Sequence, residues 1–292
     1  MKQFHNKFIQ FLTKKSKFSQ RDAKTYRHQV KRHANHLGMA SRATVNQLSE
    51  FDIFFDKKTA RQHLAAVSNK TAYRVWEDIL SAPNLQAAAK IYSFWVDVAI
   101  YAGKRGNLDV ESTIYNALID IQVDRIFNAK KDSYQLLPQR TRETMTELAQ
   151  RHDPNGNYRQ LRRHLKQHPG DFGPLSLLAK DIEHLKDLST DHEKNTVNTL
   201  IRYQNQARSL AVERVGHKID IRWLSISGSH EKEYFRKRSR ILKPVKHKST
   251  NGYTKVSIPR FSVEPQFKQE SGLFHRHARR KHAVDLGSGL FH

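Results

Sequence analysis

The sequence contains no cysteine. Disulfides, thiolate nucleophiles and cysteine-based zinc sites are excluded with it, and the absence fits a cytosolic protein. Acidic residues are scarce: 28 Asp and Glu stand against 52 Lys and Arg, a formal net charge of +24. Such an imbalance attracts polyanions, whether nucleic acid, an anionic membrane or an acidic protein partner, and says nothing about fold. No apolar run approaches the roughly 20 residues that a membrane span needs. Residues 1–15 alternate charged and aromatic groups (Lys2, Phe4, Lys7, Phe8, Phe11, Lys14) and lack the apolar centre of a secretory signal, so Sec-type export is not expected. There is no glycine-rich phosphate loop, no Gly-x-Ser-x-Gly and no evident acid/base pair. A conventional hydrolase therefore has little support.

What is present is helical patterning. The 292 residues, 37% of them hydrophobic, suffice for one sizeable helical domain with extensions, or for two small domains. The strongest apolar periodicity and most of the acids fall between about residues 51 and 215, with basic stretches on either side. Pro83 reads as a first-turn residue. After it, Leu85, Ala88, Ile91, Tyr92, Trp95 and Ala99 recur at helical spacing up to Gly103 and Gly106. A second helix is expected after Asp109, read as an N-cap, with Ile114, Leu118 and Ile121. A third spans about Arg140–Arg151 and stops at Asp153-Pro154-Asn155-Gly156; a fourth covers Tyr158–Lys166. Beyond Pro174, Leu175, Leu178, Ile182 and Leu185 form an apolar stripe, Ser189-Thr190-Asp191 a polar turn, and Val197, Leu200, Ile201, Ala207, Leu210, Ala211 and Val215 a long second stripe. Two helices joined by a short turn make a helical hairpin. Ile219–Ile226 and Tyr253–Ile258 are short strand candidates.

The expected fold is all-α: a multi-helix bundle with a protruding helical hairpin over about residues 174–215 and basic extensions at both ends. Residues 1–50 read as a basic N-terminal extension, 51–246 as the helical domain, and 247–292 as a basic, His-rich C-terminal tail with the composition of a flexible segment.

The order of segments from Leu64 to Pro244 resembles the catalytic domain of Ras-type guanine-nucleotide exchange factors. Asn69, Val75 and Ile79-Leu80 are similar to the family's asparagine followed by "W-V…I-L", with Arg74 where the tryptophan usually stands. Lys104-Arg105-Gly106-Asn107-Leu108 resembles its "L-N-N-F" turn, Glu111–Leu118 its "A-I-x-x-x-L", Val123-Asp124-Arg125-Ile126 its "V-x-R-L", and Leu137-Pro138 its "L-P". Asn157-Tyr158-Arg159 with Leu161-Arg162 is similar to "N-Y-x-x-Y-R". Pro174 through Lys180-Asp181-Ile182 resembles "P-Y-L-G-x-Y-L-K-D-L" with one residue deleted. Leu200-Ile201-Arg202-Tyr203 through Arg208 and Ala211 resembles "L-I-N-F-x-K-R-R-K-x-A", and Glu231–Pro244 the terminal "E-x-x-Y-x-x-S-x-x-x-E-P". The family's usual opening of some 50 or more residues is not evident in residues 1–60, apart from a faint echo in Ala60–Leu64.

The resemblance implies an exchange factor that needs no cofactor and no covalent chemistry. It would bind the nucleotide-free GTPase better than the GDP-bound form and so shift the population toward release. The first hairpin helix, about Leu175–Ser189, would wedge between the GTPase switch loops. Asp187 takes the position of the family's carboxylate, Glu183 that of an apolar, metal-excluding residue, and His184 and Lys186 are alternative tip residues should the deletion shift the register. Leu64, Asn69, Ser112, Asn116, Ile119, Asp124 and Lys180 would face the GTPase.

Basic clusters at Lys14-Lys15, Arg27–Arg32, Arg236–Arg240, Lys243–Lys248 and His275–Lys281 fit docking on an anionic membrane surface. No metal site is expected, because His275, His277 and His282 lack partner acids or thiols at ligand spacing. Two alternatives stay open: a degenerate relative that binds a GTPase without releasing nucleotide, and a basic helical nucleic-acid-binding protein. Against the latter, the excess charge lies at the ends while the segment 174–200 is acidic. Ras, Rap and Ral types all fit as substrates. A cytoplasmic, membrane-peripheral location is implied. The shortened, His- and Lys-rich form also has the style of a bacterial effector acting in a host cytosol.

Overall fold

The computed structural model describes residues 2–14, 19–49, 56–128, 131–184, 190–212 and 232–242. They form eleven α-helices and one 3-10 turn: α1 (Lys2–Lys14), α2 (Gln20–Val45), α3 (Lys57–Leu80), α4 (Leu85–Lys104), α5 (Leu108–Ile119), α6 (Ile121–Phe127), the 3-10 turn Asp132–Leu136, α7 (Gln139–Arg151), α8 (Arg159–Gln167), α9 (Leu175–Glu183), α10 (Thr190–Val212) and α11 (Lys232–Ile241). The described residues contain no strand, and the fold is all-α. The described residues lie within the compact unit Met1–Val245; Lys246–His292, and with it the strand candidate Tyr253–Ile258, lies outside them. So does the candidate Ile219–Ile226.

α4 is the centre of the bundle. It is apolar almost all round, with Ala88, Ile91, Phe94, Trp95, Val98 and Ala99 fully buried, as expected for a helix surrounded by others. α1, α2, α3, α5 and α7 all pack on it. Residues 1–50, read from the sequence as an extension, thus supply two core helices: Phe8 and Leu12 of α1 and Val30, Ala34 and Leu37 of α2 join the main apolar cluster.

Helix starts follow local chemistry. Ser19 and Asp22 form a reciprocal capping box on α2, and Asp56, Asn84 and Asp120 cap α3, α4 and α6 with their side chains. Two sequence expectations shift here. Pro83 precedes the N-cap rather than occupying the first turn of α4, because Asn84 Oδ1 accepts the Ala87 N–H at 2.9 Å. Asp109 is not the cap of α5: Asn107 Oδ1 accepts the Val110 N–H at 3.1 Å, which places Asp109 inside the helix with its carboxyl free for another task.

Two buried polar nodes tie the helices in register. Glu111 of α5 is fully buried; Arg151 Nη1 donates to both its oxygens at 2.8 Å, and His152 Nε2 lies 2.9 Å away. The other node joins four helices. His5 (α1) Nδ1 and His33 (α2) Nε2 are 2.7 Å apart, His5 Nε2 is 2.9 Å from Asp78 (α3) Oδ2, Arg74 Nη2 donates to Asp78 Oδ1 at 3.0 Å, and Trp95 (α4) Nε1 donates to Asp78 Oδ2 at 3.2 Å. Arg74, standing where the family's tryptophan would be, therefore fills a buried site with a paired charge.

The Gln29 carbonyl oxygen, 2.7 Å from His33 Nδ1, holds the ring proton there and leaves Nε2 as an acceptor facing His5. Burial, and then the neighbouring His5, push the His33 pKa down to about 3. Burial raises Asp78, but His5 and Arg74 outweigh it and hold the carboxyl below its usual range. A histidine lowered from its ordinary 6.5 to about 3 contributes stability that is complete above 6.5 and lost as pH falls toward 3. The thermal midpoint is expected to fall by about 5 °C between pH 7 and pH 5. His33→Gln should flatten that dependence in the same melting series.

Candidate functional site

Residues 171–184 are fastened to the rest of the chain by backbone before side chains add to it. The Phe172 N–H donates to the Gly106 carbonyl at 2.7 Å, and the Phe172 carbonyl accepts the Leu108 and Asp109 N–H groups at 2.9 and 3.3 Å. This is a short parallel seam between Asn107 and Phe172. Gly106 permits it: its φ is +72°, and a Cβ there would meet the Asp171 carboxylate. Asp171 is in turn 2.8 Å from His164 Nε2 of α8.

α9 begins at Leu175 after Pro174, which as the N-cap residue has no side chain to cap the helix. Asp109 supplies the missing acceptor: its Oδ1 takes the Leu175 N–H at 2.7 Å. Burial holds the Asp109 carboxyl above the usual range, opposed by hydrogen bonds from Ser41 and Leu175 and by the charge of Arg42. Arg42 also lies 5.1 Å from the centre of the Phe172 ring.

Beneath α9 is a second apolar cluster made of Val45, Leu48, Ala60, Leu64, Phe172, Leu175, Leu178, Ile182, Leu200 and Tyr203. It joins α9 and α10 to α2 and α3. Gly173 has no room for a Cβ, because Tyr203 Oη and Leu165 occupy that space. Burial raises the Tyr203 hydroxyl to about 12, so it stays neutral. Gln204 Nε2 donates to the Leu48 carbonyl at 2.7 Å, and Gln206 Nε2 to the Gly170 carbonyl at 3.0 Å. α10 is clasped to the turn after α2 by the first bond and to the loop before α9 by the second. Arg162 of α8 makes two bonds to Asp181 of α9, at 3.0 and 2.6 Å. Lys180 Nζ sits 5.6 Å from the Tyr158 ring centre.

The candidate residues fall into three groups. Leu64 and Ser112 are buried; Leu64 packs under α9. Asn69 is exposed, while Asn116, Ile119, Asp124 and Lys180 are half-buried. Ser112, Asn116 and Ile119 recur at helical spacing along α5, which packs on α3 through Thr113 to Ser68 at 3.3 Å and Trp76 Nε1 to the Ala117 carbonyl at 2.9 Å. Asp124 accepts both bonds from Asn128 Nδ2, at 3.0 and 2.9 Å. Glu183 and His184 are exposed at the C-terminal end of α9, which stops at Glu183 and not at Ser189 as the sequence suggested. The Glu183 carboxylate is 3.0 Å from Arg61 Nη1 of α3. Lys186 and Asp187 lie outside the described residues.

The sequence reading missed Arg61 and mistook the job of Asp109. Neither has a local signal: each partner is more than 60 positions away along the chain. In contrast, two of the motif fragments that carry the resemblance meet in space. The fragment 157–162 meets the fragment 174–182: Tyr158 lies under Lys180, and Arg162 clamps Asp181.

A multi-helix bundle in which α9 packs on α3 and α10 on α2, with the start of α9 fastened to the turn after α4, is the class of protein that this arrangement defines. The RasGEF domain model matches residues 24–205, more than half of the 292. The chain belongs to the RasGEF domain family. No curated protein matches it. The match opens inside α2, 40 residues ahead of Leu64, and closes within α10, before the Glu231–Pro244 segment.

If the Asp109 carboxyl is an acceptor first and a charge second, its two replacements diverge. Asp109→Asn keeps the acceptor and removes a poorly solvated charge, so stability at pH 7 should stay within about 0.5 kcal/mol or rise. Asp109→Ala should cost about 2 kcal/mol by urea unfolding and raise amide hydrogen exchange in α9.

Proposed function

We propose that the protein is a guanine-nucleotide exchange factor for a Ras-family small GTPase and that it acts through the hairpin of α9 and α10. The observation that carries the reading is the family match over residues 24–205, which takes in α3, α5 and α9 together with the first part of α10. The braced base supports it. A wedge works only if it is stiffer than the loops that it displaces, and the seam at Phe172, the Asp109 bond and the Arg162–Asp181 pair supply that stiffness.

The chemistry is differential binding. The factor must hold the nucleotide-free GTPase more tightly than the GDP-bound form, and the difference sets the size of the population shift. The residues that follow α9, His184, Lys186 and Asp187, are proposed to enter the metal and phosphate region of the GTPase, with Glu183 at the helix end beside them. Asp187 would compete with the phosphates for their cationic ligands. The half-buried polar positions Asn116, Asp124 and Lys180, with Asn69 and Ile119, are proposed to line the surface that holds the GTPase, with Leu64 and Ser112 supporting them from within. The surplus of Lys and Arg at the chain ends supports docking on the anionic membrane face where lipid-anchored GTPases are tethered.

One observation favours a second reading, a GTPase binder without exchange activity: an acid, Glu183, stands at the position where the family has an apolar residue. Release of a fluorescent GDP analogue from a panel of Ras, Rap and Ral GTPases at physiological salt separates the two. The expected result is accelerated release from at least one GTPase, reduced on the order of tenfold or more by Glu183→Ala with Asp187→Ala. Pull-down of a nucleotide-free GTPase without accelerated release from any member would establish the silent binder instead.

A further inference from the structure

The ion pair between Arg61 and Glu183 bears directly on that departure. Glu183 is the last residue of α9, and Arg61 lies one turn into α3, the helix on which α9 packs. Both side chains are about one-third exposed, and Nη1 and Oε1 are 3.0 Å apart. The pair sits at the open edge of the apolar cluster formed by Ala60, Leu64, Leu178 and Ile182. Ala60 precedes Arg61 and Ile182 precedes Glu183, so each charged residue directly follows a buried one.

The start of α9 is fixed by Asp109, and its flank by Arg162 through Asp181. Glu183 is the last described side chain of α9 with a partner on the body. A carboxylate already answered by a guanidinium at 3.0 Å is a poor candidate for capturing a divalent cation or a lysine of another protein. Metal capture would require it first to give up this partner.

We infer that Arg61 is a positioning residue, and that Glu183 serves the exchange reaction as its tether rather than as a ligand to the GTPase. An apolar residue would hold the end of α9 by packing; here an ion pair to α3 holds that end against the body. The inference rests on the exchange-factor reading for its consequence in catalysis. The tether itself belongs to the protein alone.

Three variants test it: Arg61→Gln, Glu183→Gln and the charge swap R61E/E183R. Two measurements are made on each. Amide hydrogen exchange over residues 175–183 in the free protein is expected to speed up about threefold in each single variant and to return to within about twofold of wild type in the swap. Release of a GDP analogue from a responsive GTPase should follow the same pattern, slowed in both single variants and recovered in the swap. Comparable melting temperatures show that the variants fold.

Unchanged protection in the single variants, or a swap no better than they are, overturns the tether. If the swap restores protection of α9 but release stays as slow as in Glu183→Gln, Glu183 touches the GTPase itself and the positioning role is overturned. If the wild-type protein accelerates no GTPase, the exchange reading fails while the protection data still decide the tether.

Discussion

The seam between the turn after α4 and the segment before α9 is the constraint on which the rest of the candidate site depends. Three backbone hydrogen bonds join Gly106, Leu108 and Asp109 to Phe172, residues that are distant in sequence. They fix where α9 begins. Asp109, held inside α5 because Asn107 takes the cap, then supplies the acceptor that the first turn of α9 lacks. Helix termini leave several N–H groups unsatisfied, and burying one without a partner costs on the order of 1–3 kcal/mol. A buried carboxylate is an expensive solution, and the cost is reduced here by Ser41 and the Leu175 N–H. What results is a helix whose direction follows from the core of the bundle rather than from its own sequence.

The body that carries this seam is itself held in register by buried charge. Apolar packing around α4 is non-directional and by itself sets helix register less sharply than hydrogen bonds between fixed donors and acceptors. The Glu111 node supplies such bonds, because two donors from Arg151 and His152 must reach one carboxylate. So does the node of His5, His33, Arg74, Asp78 and Trp95, which spans α1, α2, α3 and α4. Breaking either leaves a charge uncompensated in a dry interior. The basic amino-terminal stretch is thus partly structural: it carries a share of the chain's excess charge and also places His5 and His33 at the core.

Helix existence was legible wherever apolar spacing was regular. The stripe Leu85 to Ala99 became α4, and Leu175, Leu178 and Ile182 became the buried face of α9. The family was legible as well, because its stations keep their order even where single residues change. What stayed hidden was long-range pairing. Asp109 reads as a cap because its type suits one, and only Phe172 and Leu175, more than 60 residues on, reveal its role. Arg61 reads as a surface cation until α9 is laid against α3. The amino-terminal helices were obscured for a related reason: their polar and His-rich composition conceals a narrow apolar stripe, Val30, Ala34 and Leu37, that suffices to bury α2.

The central claim is that the end of α9 meets the GTPase. The absence of cysteine makes a direct test simple, because H184C introduces the only thiol in the chain, at an exposed position. An environment-sensitive fluorophore on that thiol is titrated with a nucleotide-free Ras-family GTPase that binds in pull-down. The account predicts a saturable change in emission that GDP with Mg2+ reverses. A fluorophore that does not respond while the GTPase binds would contradict it, and would place the contact elsewhere on the bundle.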